Sequence, residues 1–313
     1  MLPFTDAHLD IAWSSLLNGR DFVHGHPDAA LGLPDLLAGG ISLACATIFS
    51  AKFDPDTETA REVAEQQLAY YDALPGRSSG TVIWPADAID VGTFPTGKKV
   101  CLVGLIEGCE PVETPDDLDF FYKRGVRAAG LTWNQKNKWA AGCAAEGGLT
   151  ADGVELVRAM DRLNMVHDIS HLSRTSVDDL FGTARGPVMA SHVGADAIYS
   201  HRRNLTDAHL AEVARRGGVV GIVLFSKFLC EGRATMDDVV AHLMHMLEIC
   251  GPESVGIGSD LDGGFSRSHL PTSIHTAADF PNIADALRAS GVSEDDVAKV
   301  CGSNFRRLLT GVM

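Results

Sequence analysis

Six residues of metal-ligand type stand where apolar stretches of this 313-residue chain give way to polar ones. His8 and Asp10 close the run ending in DAHLD, Glu107 closes the run in CLVGLIEG, His171 closes VHDISH, His192 closes VMASH, and Asp260 closes the run in VGIGSDLDG. Each has an ordinary reading when taken singly. HxD triplets are common, and a single buried histidine is usually a hydrogen-bonded core residue. Glu107 is harder to dismiss, because an ionised carboxylate ending an apolar run costs several kcal/mol to desolvate unless it is paired or bound to a cation. Together, neutral imidazoles and carboxylates match the nitrogen and oxygen preference of zinc and similar divalent ions. Two such ions can activate a water and polarise a carbonyl. A carboxylate between them would hold the like charges together, and a further carboxylate could carry protons.

Residues this far apart in sequence need a scaffold that brings strand ends together. Eight short runs rich in Val, Ile and Ala, at roughly 2–8, 42–49, 99–106, 126–132, 164–170, 187–191, 218–224 and 254–259, read as strands. Helical periods lie between or after them at 57–74, 151–163, 206–216, 235–250 and 293–309, with Thr206 and Ser293 placed as N-caps. Near-continuous apolar strands alternating with helices imply a parallel sheet covered on its outer face. Eight units predict a closed (β/α)8 barrel, with a doubly wound open sheet as the rival. In such barrels the reactive groups sit at the C-terminal ends of the strands. No linker or repeat divides the chain, so residues 1–313 are expected to form one domain. The excursion at about 50–98 reads as an insertion. His167 shares the strand parity of His171 and could face inward one layer below, although packing is its expected role; Asp168 is expected to support the site or the fold.

Composition narrows the function. The chain is 45% hydrophobic and 21% charged, and it has no run of about 18 apolar residues, which predicts a globular protein that does not span a membrane. A formal charge of −15 without a Lys/Arg cluster argues against nucleic acid or an anionic membrane as partner. Seven scattered cysteines with no CxxC pair suggest reduced thiols, and the opening MLPFTDAHLD lacks a basic secretory signal, so a cytoplasmic location is expected. Dinucleotide, P-loop, GxSxG and HExxH signatures are missing.

At these residues the chain resembles the membrane (renal) dipeptidase family, peptidase family M19 of the amidohydrolase superfamily. The likeness runs from DAHLD through LIEG, GGLTADGVELVRAMDRLNMVHDISH and SHRRNLTD to GIGSDLDG and GSNFRRLL. The resemblance implies a barrel with two zinc ions per chain that hydrolyses dipeptides, often tolerating a D-residue at the C-terminal position, and often dimeric. It implies that His8 and Asp10 bind one zinc, His171 and His192 the other, that Glu107 bridges them, that Asp260 is the catalytic aspartate, and that Arg203 binds the substrate carboxylate. One departure is visible. Animal members carry LTH after the fourth strand, where the histidine contacts substrate; here the residues are Leu131, Thr132 and Trp133. The same kind of metal centre could serve N-acyl amino acids or cyclic amides, and a non-catalytic ligand-binding barrel is the rival from another class.

Overall fold

The computed structural model describes residues 2–50, 58–85 and 98–313. Its sheet contains β1 (Phe4–Leu9), β2 (Ile41–Phe49), β3 (Val82–Ile83), β4 (Val100–Glu107), β5 (Val126–Gly130), β6 (Val166–Asp168), β7 (Val188–Val193), β8 (Val219–Ile222) and β9 (Val255–Ile257). All pairings are parallel. β2 pairs with both β1 and β4, and β1 pairs with β9, so eight strands close into a barrel in chain order. β3 stands outside the ring and adds two residue pairs at the start of β4. This is the (β/α)8 architecture expected from the eight apolar runs, with the open-sheet alternative excluded by closure.

The apolar character of the strands has two destinations. One set of side chains points inward, including Leu43, Cys45, Val103, Ala128, Val166 and Met189, and forms a cluster with Phe305, Leu308, Leu309 and Val312 of the C-terminal segment. That segment plugs the N-terminal end of the barrel. Its closeness fixes one glycine: a Cβ on Gly256 would lie 2.4 Å from the Phe305 ring. The other set packs outward beneath the helices, joining residues such as Leu102 and Ile106 to Leu68, Tyr71, Leu118 and Phe121. With one end filled by hydrocarbon, polar chemistry is confined to the other.

Helices stop and start where local chemistry dictates. Thr206 caps Asp207–Arg215 by accepting from the His209 N–H at 3.3 Å, and Ser293 caps Glu294–Ala298 by accepting from Asp296 N–H at 3.2 Å. The run at 293–309 is not one regular helix. It widens into a π turn at Lys299–Ser303 before Asn304–Thr310, and a Cβ on Gly302 there would meet the Pro3 carbonyl at 2.3 Å. The stretch at 50–98 also differs from its reading as an insertion. Its Ala60–Arg77 helix packs on β2 as the second β/α unit of the barrel, while residues 51–57 and 86–97 lie outside the described residues.

Candidate metal centre

β1, β4 and β7 deliver three of the six side chains directly, and the turns after β1, β6 and β9 deliver the rest. His8 lies on β1 and Asp10 follows it; Glu107 is the last residue of β4; His192 is on β7. His171 and Asp260 are three residues beyond their strands, both in the left-handed region at φ 69° and 61°. For non-glycine residues that backbone is uncommon and tends to gather at functional sites. The kink also corrects the parity argument for His167. Val166 and Asp168 face the barrel interior, while His167 points away from it and pairs with Asp161 at 2.7 Å. His171 reaches the mouth only because the left-handed turn resets the alternation. Asp260 has a local requirement of its own, since a Cβ on Gly263 would lie 2.1 Å from its Oδ1.

The side chains converge in two groups that share Glu107. His8, Asp10 and Glu107 offer ligand atoms that all lie within 4.8 Å of one another, and so do Glu107, His171 and His192. The carboxylate divides its oxygens between them. Glu107 Oε2 is 3.5 Å from His8 Nε2, whereas Oε1 is 2.9 Å from His171 Nε2 and 3.8 Å from His192 Nε2. The two imidazole nitrogens of the second group are themselves 2.8 Å apart. Asp260 Oδ1 stands at the margin, 4.0 Å from His8 Nε2.

Electrostatics show that this arrangement is built around positive charge. Burial disfavours a charged His8, yet Glu107, Asp10 and Asp260 outweigh it and push its pKa up to about 10. Burial raises Asp10 to about 6, with Glu107 adding to the effect. Burial likewise lifts Asp260 well above the usual carboxylate range. Glu107 moves the other way: burial opposes its charge, but His8 and His171 hold it well below that range. His171 is lowered to about 3 and His192 well below 6.5, in both cases first by burial, so both imidazoles are neutral and offer lone pairs. His8 Nε2 is buried with no hydrogen-bond partner. An orphaned imidazole nitrogen among three carboxylates fits a divalent cation, and the mixed nitrogen and oxygen donors fit zinc.

The raised pKa of His8 has a sign that can be tested. Its proton stabilises the metal-free fold fully below pH 6.5, and that contribution disappears as pH rises through about 10. A cation must displace the same proton. Calorimetric titration of metal-free protein with Zn2+ at pH 8, in buffers of different ionisation enthalpy, should therefore show release of at least about one proton per chain. Affinity should climb with pH towards 10. A binding enthalpy independent of buffer would contradict this account of His8.

Arg203 and Trp133 also reach the site. Arg203 is 4% exposed, its Nε has no partner, and one terminal nitrogen donates to the His192 carbonyl at 3.2 Å. Among the described residues no carboxylate lies within ion-pair distance, so this buried cation has spare donors. Trp133 belongs to an aromatic wall: its ring is 5.6 Å from Phe49, which is 5.6 Å from Trp13. Opposite stand Phe225, Phe228 and Phe265, with Phe225 and Phe265 stacked at 4.3 Å and the Arg203 guanidinium 5.3 Å from the Phe228 ring. The cleft between the walls encloses about 220 Å³ and opens onto Asp10, Glu107, His171 and Asp260.

Sequence reasoning missed the aromatic residues other than Trp133, because Trp13 on a helix, Phe49 at a strand end, Phe225 and Phe228 on one turn, and Phe265 lie far apart in sequence and form no pattern. It also missed the supports beneath the ligand-type residues. The Thr47 hydroxyl donates to Asp10 at 2.6 Å, and the Tyr71 hydroxyl donates to the Thr47 carbonyl at 2.7 Å. Asp6 accepts from the Ser259 N–H and hydroxyl, tying β1 to the turn after β9. Asn134 Oδ1 is 2.9 Å from His171 Nδ1, and the Ser191 hydroxyl is 2.8 Å from His192 Nδ1.

Known proteins share this architecture. A family model described as membrane dipeptidase (peptidase family M19) matches residues 1–313. An uncharacterised protein in the pqqA 5' region of Klebsiella pneumoniae is 32% identical over 265 residues, covering 80% of this chain and 96% of that one. The dipeptidase aclJ of Aspergillus oryzae is 35% identical over 224 residues, 69% of this chain, and the match spans about half, 52%, of that longer protein. A crystal structure of a metallopeptidase from Rhodobacter sphaeroides, liganded with a phosphinate mimic of the dipeptide L-Ala-D-Ala, superposes with a TM-score of 0.86 at 25% identity, covering 100% of this chain and 99% of that one.

Proposed function

The chain belongs to the membrane dipeptidase family, peptidase family M19, and from that premise we propose that it is a metallo-dipeptidase that uses two divalent ions, zinc by donor chemistry, to hydrolyse L,L or L,D dipeptides. The observation that carries this reading is the division of Glu107 between two ligand groups, one oxygen towards His8 and the other towards His171 and His192. His8 and Asp10 would hold one ion, His171 and His192 the other, and Glu107 would serve both. When bound, such ions lower the pKa of a water towards neutrality and polarise the scissile carbonyl.

The remaining work belongs to the chain's own groups. Asp260 accepts the proton that the attacking water loses and returns it to the leaving amine, so that one peptide and one water give two amino acids. Arg203 pairs its spare donors with the terminal carboxylate. Trp133 packs a flat apolar face against the substrate where animal relatives place an imidazole. Seven free cysteines support a reducing, cytoplasmic setting for all seven thiols, and no helix among the described residues is long and apolar enough to cross a membrane. Closure of one barrel from strands between Phe4 and Ile257, with the C-terminal segment packed into its end, supports a single catalytic domain over 1–313.

The test is a panel of L,L and L,D dipeptides, as free acids and as C-terminal amides, run on metal-loaded and metal-stripped protein. Free acids should turn over only with metal. Amidation should cost about 1.5 to 3 kcal/mol in kcat/KM, the range for a hydrogen bond to a charged group. Arg203→Met should impose a similar loss on the free acid and little on the amide, so the two losses do not add. Trp133→His should reorder the panel more than it slows the best substrate. Equal turnover of acids and amides by the unaltered protein would remove the carboxylate anchor and favour N-acyl amino acids or cyclic amides.

A further inference from the structure

Ser191 lies on β7 directly before His192 and is fully buried. Its hydroxyl touches both halves of the metal centre from below. Oγ is 2.8 Å from His192 Nδ1 and 3.4 Å from His8 Nδ1, and it donates to Asp168 Oδ2 at 2.5 Å. Asp168 is held as an acceptor by two further donors, the N–H groups of Ser170 at 3.0 Å and Ser191 at 2.9 Å.

We propose that Ser191, anchored by Asp168, is the positioning residue that fixes the tautomer of one imidazole in each half of the metal centre, His192 in one and His8 in the other. This rests on the two-ion reading given above. A hydroxyl has one proton and two lone pairs. The proton goes to Asp168, so the oxygen can only accept from the imidazoles. Each histidine must then carry a proton on Nδ1; His192 presents a bare Nε2, and His8 does so once a cation displaces its second proton, Nε2 being the atom that faces Glu107 in both cases. Partners on the far ring nitrogen fix orientation and raise ligand basicity. The Ser170 hydroxyl, 3.2 Å from Ser191 Oγ, competes for the second lone pair, so His192 is held more firmly than His8.

His171 supplies an internal control. Its Nδ1 faces Asn134 Oδ1, not Ser191. One hydroxyl therefore serves two ligands from different halves, while the third imidazole has its own holder. The same logic explains why His8, Asp168 and His192 also cluster with ligand-type atoms within 4.8 Å. That cluster lies on the Nδ1 side, where Ser191 and two protons already satisfy Asp168 and the rings, so it is a support and not a third ion site.

The test uses full-length protein labelled with 15N at histidine. In the metal-free state, His192 should show the Nδ1–H tautomer in the unaltered chain and in Ser191→Thr, and a shift to Nε2–H in Ser191→Ala. Competition with a chromogenic chelator should show Zn2+ affinity falling about 10 to 100-fold in Ser191→Ala, with Ser191→Thr restoring binding. His171 should keep its pattern in both variants. Unchanged imidazole resonances together with unchanged Zn2+ affinity in a folded Ser191→Ala protein would overturn the proposal. If the unaltered chain binds no Zn2+, the two-ion reading falls, and the metal-free spectra still decide the role of the hydroxyl.

Discussion

Glu107→Gln is expected to lower kcat by at least about a hundredfold and to leave the protein short of its full complement of metal. The substitution keeps the shape of the side chain and removes its charge. Two unit charges about 4 Å apart attract by roughly 4 kcal/mol at the effective dielectric of protein sites. Glu107 faces both ligand groups, so it would supply such a term twice. A hundredfold loss needs only about 2.7 kcal/mol, so even heavy screening leaves room for it. The neutral amide also deprives His8 of the leading carboxylate that raises its pKa, and the proton released on metal binding should fall with it. Elemental analysis of the purified variant, paired with turnover of the best dipeptide, reads both effects. Near-normal metal content and rate would show that Glu107 does not bridge.

The barrel and the positions of its ligand-type residues were legible because both follow from one-dimensional patterns. Eight apolar runs mark eight strands, and a carboxylate or imidazole where such a run ends is conspicuous. β6 shows where the pattern stops. Alternation along an extended strand would put His167 and His171 on one face, but the left-handed turn at His171 breaks the count, and His167 turns to Asp161 instead. Nothing in VHDISH announces that turn, since its backbone is held by tertiary contacts such as the Cys143 N–H, which donates to the His171 carbonyl at 2.7 Å. The supports were hidden for a different reason. Thr47, Tyr71 and Ser191 are residue types found throughout any soluble protein, and only their distances to Asp10 and His192 give them meaning. The aromatic walls depend likewise on loops after several strands meeting above one cleft.

Asp260→Asn should separate proton transfer from metal binding, which makes it the sharper counterpart to Glu107→Gln. Asparagine is nearly isosteric and tolerates the left-handed backbone that residue 260 adopts at φ 61°, so the turn and the space left by Gly263 should survive. The carboxylate belongs to neither set of ligand atoms that converges within 4.8 Å, and its Oδ1 is 4.0 Å from His8 Nε2. Most of the metal should therefore remain bound. Turnover should not. An amide can neither take a proton from water nor return one to the leaving nitrogen, and loss of a positioned acid–base group costs roughly 10² to 10⁴ in rate. Because burial holds the Asp260 pKa well above the usual range, with His8 and Arg203 opposing, the unaltered protein should lose kcat as pH falls and this group gains its proton. In Asp260→Asn that acid limb should flatten while a low residual rate persists. Loss of metal in step with activity would make Asp260 a ligand, and a variant with near-normal kcat would assign the proton to another group.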